Sequence, residues 1–205
     1  MNWPLALGIW AASYLVGSLP AGYLAGRRLK NIDIREFGSG STGATNVLRT
    51  LGKGPAAAVL LFDVFKGFFT VWLARTLAGS EEAGTWIVLG AGLAAIVGHS
   101  WPVWLAFRGG KSVAVSVGLL LGMHWPVALT VAAIWGVCFA LTRIVSLASV
   151  TAAATTPLCF YLWGAPLPFT LFGLLGGIYV VWRHRGNIER LLRGIEPKIG
   201  DPAAR

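Results

Sequence analysis

The sequence predicts an all-α polytopic membrane protein with seven transmembrane helices, the N-terminus outside and the C-terminus cytosolic. Three observations carry this expectation. Hydrophobic residues make up 56% of the 205 and charged residues only 12%, whereas a soluble domain carries about 25% charge. The apolar residues fall in long blocks, and mean hydropathy is +0.68. The formal net charge of +9 sits in short polar segments between those blocks. Basic chains often bind nucleic acid, but this arrangement points to membrane topology and anionic ligands, so no nucleic-acid partner is expected.

A bilayer core about 30 Å thick needs about 20 apolar residues in a helix. The candidate spans are residues 4–26, 56–78, 84–107, 111–123, 125–142, 144–163 and 166–183. The first has no basic stretch before it and no A-x-A cleavage site after it, so it reads as a retained span. The fourth is short, and His124-Trp125-Pro126 reads as a turn with an interfacial aromatic that separates it from the fifth. All of the 17 Lys and Arg except Lys66 and Arg75 lie in residues 27–55, 108–111, 143 and 183–205. Those segments share one side only if there are seven spans, and the opposite side carries Glu81 and Glu82. The positive-inside rule makes the basic side cytosolic. Length suggests a single domain over residues 1–205, since helices this apolar must pack together. Gly118/Gly122 and Gly173/Gly177 have the spacing of close helix contacts. No internal repeat argues for an inverted-repeat transporter. Cys138 and Cys159 lie inside apolar segments as small hydrophobes, without disulfide, zinc or redox-pair spacing.

The unusual polar residues gather on the cytosolic side in four places. Gly38-Ser39-Gly40-Ser41-Thr42-Gly43-Ala44-Thr45-Asn46, followed by Arg49, matches GxGxxG formally, but no strand precedes it and a dinucleotide fold is rejected. Such a loop can still point successive N–H groups at one anion, with Arg49 as a bidentate charge, or it can be a plain polar loop. Gly98-His99-Ser100-Trp101-Pro102 leads to Phe107-Arg108-Gly109-Gly110-Lys111-Ser112. Leu105 stands where a P-loop requires glycine, so this is no NTPase motif, yet Lys111 at a helix start can hold an anion. His99 reads equally as an interfacial histidine. Asp63 and Lys66 share a helical face inside the second span, neutralising each other, touching a ligand, or both. Arg183-His184-Arg185-Gly186-Asn187 leaves the last span, with His184 and Asn187 at i,i+3; a basic lipid-headgroup anchor explains its arginines but not that pair.

Absences narrow the chemistry. There is no H-x-x-x-x-D acyltransferase pattern, because Glu189 occupies that spacing after His184. There is no Gly-x-Ser-x-Gly elbow and no metal-ligand spacing. The site offers cations, hydroxyls and backbone N–H groups with few bases, which suits a phosphate-bearing substrate and an already activated partner.

These motifs resemble the bacterial acyl-phosphate:glycerol-3-phosphate acyltransferase family, the PlsY type. The resemblance rests on Gly38-Ser39-Gly40…Gly43-Ala44-Thr45-Asn46, on Gly98-His99…Pro102…Phe107-Arg108-Gly109-Gly110-Lys111, and on Arg183-His184…Asn187-Ile188…Arg190-Leu191…Gly194…Glu196. Their order, spacing and membrane context agree; Ser41-Thr42 stand where the family usually has Asn. The resemblance implies a seven-span enzyme of the bacterial cytoplasmic (inner) membrane with its active site facing the cytosol. It would transfer a fatty acyl group from acyl phosphate to the 1-hydroxyl of glycerol 3-phosphate, giving lysophosphatidic acid and phosphate, with no cofactor, no metal and no obligatory protein partner besides membrane lipids. Carried over by motif, Ser39, Arg49 and Lys111 would bind phosphate. Thr45, Asn46, His184 and Asn187 would orient glycerol 3-phosphate or the reacting carbonyl, with Lys66 and Ser146 as further polar contacts. Gly38, Gly40, Gly109, Gly110 and His99 would also belong to the substrate-binding site.

No nucleophile is paired with a base in the Ser-His or Cys-His manner, so direct transfer without a covalent enzyme intermediate is expected. The hydroxyl proton would go to the acyl phosphate or to His184. A transporter or channel for a phosphorylated anion would explain the basic cluster and Asp63/Lys66, but not why the polar motifs gather at one face. A lipid-binding scaffold would explain the basic tail but not the Gly/Ser/Thr/Asn loop.

Overall fold

The computed structural model describes residues 2–79 and 82–200, and every regular element among them is helical. Glu81, one of the two acidic residues expected on the outer side, lies outside the described residues. The chain divides into two compact units, residues 1–123 and 124–205, where length and composition alone suggest one domain.

The first unit contains α1 (Trp3–Gly17), α2 (Ala21–Lys30), a 3-10 turn at Ile34–Glu36, α3 (Ala44–Leu51), α4 (Lys53–Ala78), α5 (Glu82–Ser100), a second 3-10 turn at Val103–Leu105 and α6 (Val113–Met123). The second contains α7 (Trp125–Thr142), α8 (Val145–Leu162), α9 (Leu167–Arg183) and α10 (Arg185–Leu192). Five helical stretches are long and apolar enough to cross a membrane: Trp3–Lys30, Lys53–Ala78, Glu82–Leu105, Trp125–Thr142 and Val145–Leu162. The other two expected spans are shorter apolar helices, α6 and α9. At about 1.5 Å per residue α6 runs only about 16 Å, roughly half a hydrocarbon core. Leu61 and Leu141 are 68% and 81% exposed, as expected of side chains that face lipid tails instead of water.

The first span is broken, not continuous as its composition suggests. Pro20 supplies no N–H, α1 ends at Gly17, and α2 restarts after Pro20. The break leaves the Leu19 carbonyl outside a regular helical ladder, and Lys66 Nζ donates to it at 2.9 Å. Small residues then set the packing. A Cβ at Gly17 would strike the Ala95 backbone, and one at Gly98 the Tyr14 backbone, so α1 and α5 touch main chain to main chain. Gly118 meets Val64 and Gly122 meets Val71 across α6 and α4, while Gly173 and Gly177 admit Pro157 and Ala153 of α8 against α9. Both glycine pairs therefore serve close helix packing, as their spacing indicates.

Candidate active site

The polar loop of the first unit folds around one side chain. Asn46, in the first turn of α3, is buried. Its Nδ2 lies 3.0 Å from Ile34 O, 3.0 Å from Phe37 O and 2.8 Å from Ser41 O. Its Oδ1 accepts the Ser39 N–H at 2.8 Å. Gly38 (φ 57°) and Gly40 (φ 68°) supply the left-handed turns, and a Cβ on Gly38 would strike Asn46 Oδ1. The Gly40 N–H donates to Phe37 O at 3.0 Å and the Gly43 N–H to Ser41 Oγ at 3.2 Å. Three N–H groups that the sequence offers to an anion are thus turned inward. What the loop presents outward is the exposed Ser39, with half-buried Thr45 and Arg49 on α3. Arg49 Nε is buried without a hydrogen-bond partner, a costly state for a charged donor unless a ligand occupies it.

Asp33 and Arg35 brace this loop. Arg35 Nη2 pairs with Asp33 Oδ2 at 2.6 Å, and Arg35 Nη1 reaches across to Leu105 O at 2.9 Å. The Arg35 hydrogen bonds hold the Asp33 carboxyl below its ordinary range, and the same contact raises Arg35. Arg35 therefore ties the loop around Asn46 to the loop that carries Lys111.

That second loop hangs on the end of α5. Gly109 N–H donates to Ser100 O at 3.0 Å and Gly110 N–H to His99 O at 3.1 Å. Side chains are excluded at both positions: a Cβ on Gly109 would meet the His99 carbonyl and Pro102, and one on Gly110 the His99 ring at Nε2. Ser112 (φ 63°) is buried, donates to Ile96 O at 2.9 Å and lies 2.8 Å from Ser100 Oγ. Half-buried Lys111 is held between these two anchored neighbours.

Beneath it lies a buried charged cluster. Lys66 Nζ is 2.8 Å from Asp63 Oδ1, 2.9 Å from His99 Nδ1 and 2.9 Å from Leu19 O. Lys66 and Asp63 are each only 2% exposed. The pair contact the sequence offers is present, and the ammonium also meets His99 Nδ1 and the Leu19 carbonyl.

The second unit has its own polar centre, Glu196. Its Oε1 accepts from Ser146 Oγ at 2.7 Å and from Asn187 Nδ2 at 2.6 Å, and its Oε2 accepts from Arg190 Nε at 2.7 Å. Burial alone would raise this carboxyl, but those hydrogen bonds and the Arg190 charge outweigh it and hold the group below its ordinary value of 4.5. Ser146 and Asn187 are thus engaged with one carboxylate. His184 is buried, joins α9 to α10 and places Nδ1 2.7 Å from Val180 O. Beyond Glu196 the chain is strapped to the α7–α8 turn, with Ile199 N–H donating to Arg143 O at 2.9 Å and Arg143 Nη2 to Ile199 O at 2.7 Å.

Ser39, Thr45, Asn46, Arg49, Lys66, His99, Gly109, Gly110 and Lys111 all lie in the first unit, and Ser146, His184 and Asn187 in the second. Sequence reasoning missed the bracing roles of Asp33, Arg35, Ser112 and Glu196. Ser112 and Glu196 stand within the motifs without a role assigned to them, and Asp33 and Arg35 were signalled only by charge beside the glycine loop. Among the described residues no group of three or more His, Cys, Asp or Glu could hold a metal ion.

Known proteins resemble this chain over nearly its whole length. A family model described as glycerol-3-phosphate acyltransferase matches residues 7–194. A glycerol-3-phosphate acyltransferase of Gloeobacter violaceus is 92% identical over 204 residues, covering 100% of both chains. One from Synechococcus sp. (strain JA-3-3Ab) is 54% identical over 97% of this chain and 95% of its own. A crystal structure of PlsY (YgiH), an integral membrane glycerol 3-phosphate acyltransferase in its glycerol 3-phosphate form, superposes with a TM-score of 0.88 at 37% identity, covering 95% of this chain and 96% of that one. Its lysophosphatidic acid form gives 0.85 at 36% identity, covering 95% of each. With the family model, the relatives and the solved structures all in agreement over nearly the whole length, the chain belongs to the glycerol-3-phosphate acyltransferase family.

Proposed function

We propose that the protein acylates the 1-hydroxyl of glycerol 3-phosphate, using acyl phosphate as donor and releasing lysophosphatidic acid and inorganic phosphate. The site observation that carries this is Arg49, whose buried Nε has no partner while the donors around it are spent on the loop itself. A guanidinium kept open beside a braced loop fits a phosphate group. Family membership, with solved relatives in glycerol 3-phosphate and lysophosphatidic acid forms, supports the substrate and product.

In this reading Ser39, Arg49 and Lys111 hold phosphate, and Thr45, His184 and Asn187 orient the glycerol hydroxyl or the reacting carbonyl. Asn46 and Ser146 act through the loops they brace. The donor is already activated, so the hydroxyl attacks the acyl carbonyl directly, and phosphate leaves with the bonding pair of the cleaved C–O bond. The proton passes to the departing phosphate or to His184. Catalysis consists of alignment and of stabilising the oxyanion and leaving group. Seven membrane crossings with the N-terminus outside would put these loops on the cytosolic face of the bacterial inner membrane. The five long and two shorter apolar helices and the charge bias support that topology.

Purified protein in lipid, given palmitoyl phosphate and glycerol 3-phosphate, should release phosphate and lysophosphatidic acid in equal amounts, and palmitoyl-CoA should not replace the donor. Activity with palmitoyl-CoA alone would overturn the donor assignment. Arg49→Ala should lower kcat/KM about 10- to 100-fold, the worth of one charge-assisted contact, with the same melting temperature. Unchanged kinetics would remove Arg49 from the site.

A further inference from the structure

The buried Asp63–Lys66–His99 cluster takes no direct part in the proposed transfer, yet it lies against the loop that carries Lys111. A lysine ammonium has three hydrogens and no acceptor. With Lys66 Nζ 2.9 Å from His99 Nδ1, that ring nitrogen must accept, and the ring proton belongs on Nε2. Nε2 is also the atom that a Cβ on Gly110 would strike, so the protonated edge of the ring abuts the loop backbone. The main chain closes the contact from the other side, because Gly110 N–H donates to His99 O and Gly109 N–H to Ser100 O. The imidazole is therefore a spacer wedged between a fixed ammonium and the residue before Lys111.

Asp63 is what keeps that ammonium a cation. Its Oδ1 lies 2.8 Å from Lys66 Nζ and 3.7 Å from His99 Nδ1, and a lone ammonium at this depth would shed its proton. A neutral amine could accept from Nδ1–H, and the ring would no longer have one dictated tautomer. We propose that Asp63 is a positioning residue for Lys111: by holding Lys66 as a donor to His99 Nδ1 it fixes His99 with its proton on Nε2, and so fixes the Gly109–Gly110 loop. A cluster serving only to neutralise charge would need neither the histidine nor a defined tautomer. The inference rests on reading Lys111 as a phosphate contact.

The chain has three histidines, so 15N-histidine labelling in detergent micelles gives a spectrum that a His99→Gln variant can assign. The expected wild-type pattern for His99 is a protonated Nε2 and an unprotonated Nδ1. Asp63→Asn should shift that pattern toward the other tautomer and raise KM for glycerol 3-phosphate by about 10-fold or more, with a smaller change in kcat. Asp63→Glu, which keeps the charge, should restore part of both. A wild-type proton on Nδ1, or on both nitrogens, overturns the proposal. So does an Asp63→Asn enzyme whose KM rises while the His99 signals stay at their wild-type positions. The wild-type spectrum keeps the test decisive even if Asp63→Asn fails to fold. It also requires no substrate, so a catalytically silent wild-type protein would sink the acyltransferase reading and the KM comparison, while the His99 tautomer would still be decided by the spectrum.

Discussion

Two loops of this protein are each folded around a single buried polar side chain, and the two side chains differ in kind. In the first unit Asn46 gathers the carbonyls of Ile34, Phe37 and Ser41 and the N–H of Ser39. In the second, Glu196 gathers donors from Ser146, Asn187 and Arg190. A primary amide offers both donors and an acceptor and carries no charge, so it can satisfy mixed backbone groups at any ordinary pH. A carboxylate offers only acceptance, and only in full when ionised, but it binds its donors more strongly. The loop proposed to meet phosphate is thus gathered at its centre by an uncharged side chain, and the carboxylate that braces it, Asp33, is paired with Arg35. The Glu196 carboxylate is used where the surrounding side chains are themselves donors.

Substitutions at the two centres should separate them. Glu196→Ala leaves three donors facing a buried gap and should cost about 3 kcal/mol or more of stability, read as a large fall in melting temperature in detergent. Asn46→Ala should cost about 2–3 kcal/mol. Asn46→Asp, though isosteric, should be no milder, because an oxygen would replace Nδ2 against three carbonyls; a near-neutral Asn46→Asp would show that the loop does not depend on those donors. The pH response should differ as well. Because the folded Glu196 carboxyl titrates below its ordinary 4.5, its contribution is complete above that value and is lost as pH falls through the lower folded value. A melting-temperature profile should therefore drop on the acid side in the wild type, and less so in Glu196→Gln. The smallest effect should come from Ser146→Ala, about 1 kcal/mol, since two donors to Glu196 remain.

Much of this molecule is legible from residue order alone. Apolar blocks locate the five long apolar helices and the two shorter ones, glycine spacing marks α6 and α9 as closely packed, and Asp63 and Lys66 announce a pair by lying three residues apart. What stays hidden is long-range. Nothing local marks the Leu19 carbonyl as the acceptor for Lys66, 47 positions away, and the break that frees it shows only as one proline inside an apolar run. Glu196 follows a run of arginines, where a carboxylate reads as a solvated counter-charge; its burial depends on a serine 50 positions earlier. The glycine loop shows the limit most clearly. Its composition supplies N–H donors, but an anion and the loop's own carbonyls are equally good acceptors, and Asn46 tips Ser39 toward the second.

Glu196 follows all three of its donors in the sequence, and that order also has a consequence at the ribosome. The side-chain contacts of the first unit need nothing beyond Met123, whereas Ser146, Asn187 and Arg190 have no carboxylate to meet until Glu196 has been made. At about 5–20 residues per second, the 50 positions from Ser146 to Glu196 take several seconds, during which the Ser146 hydroxyl is without its carboxylate. A message cut short before the Glu196 codon would yield a chain whose first unit can close and whose second cannot, and quality-control proteases would find it there.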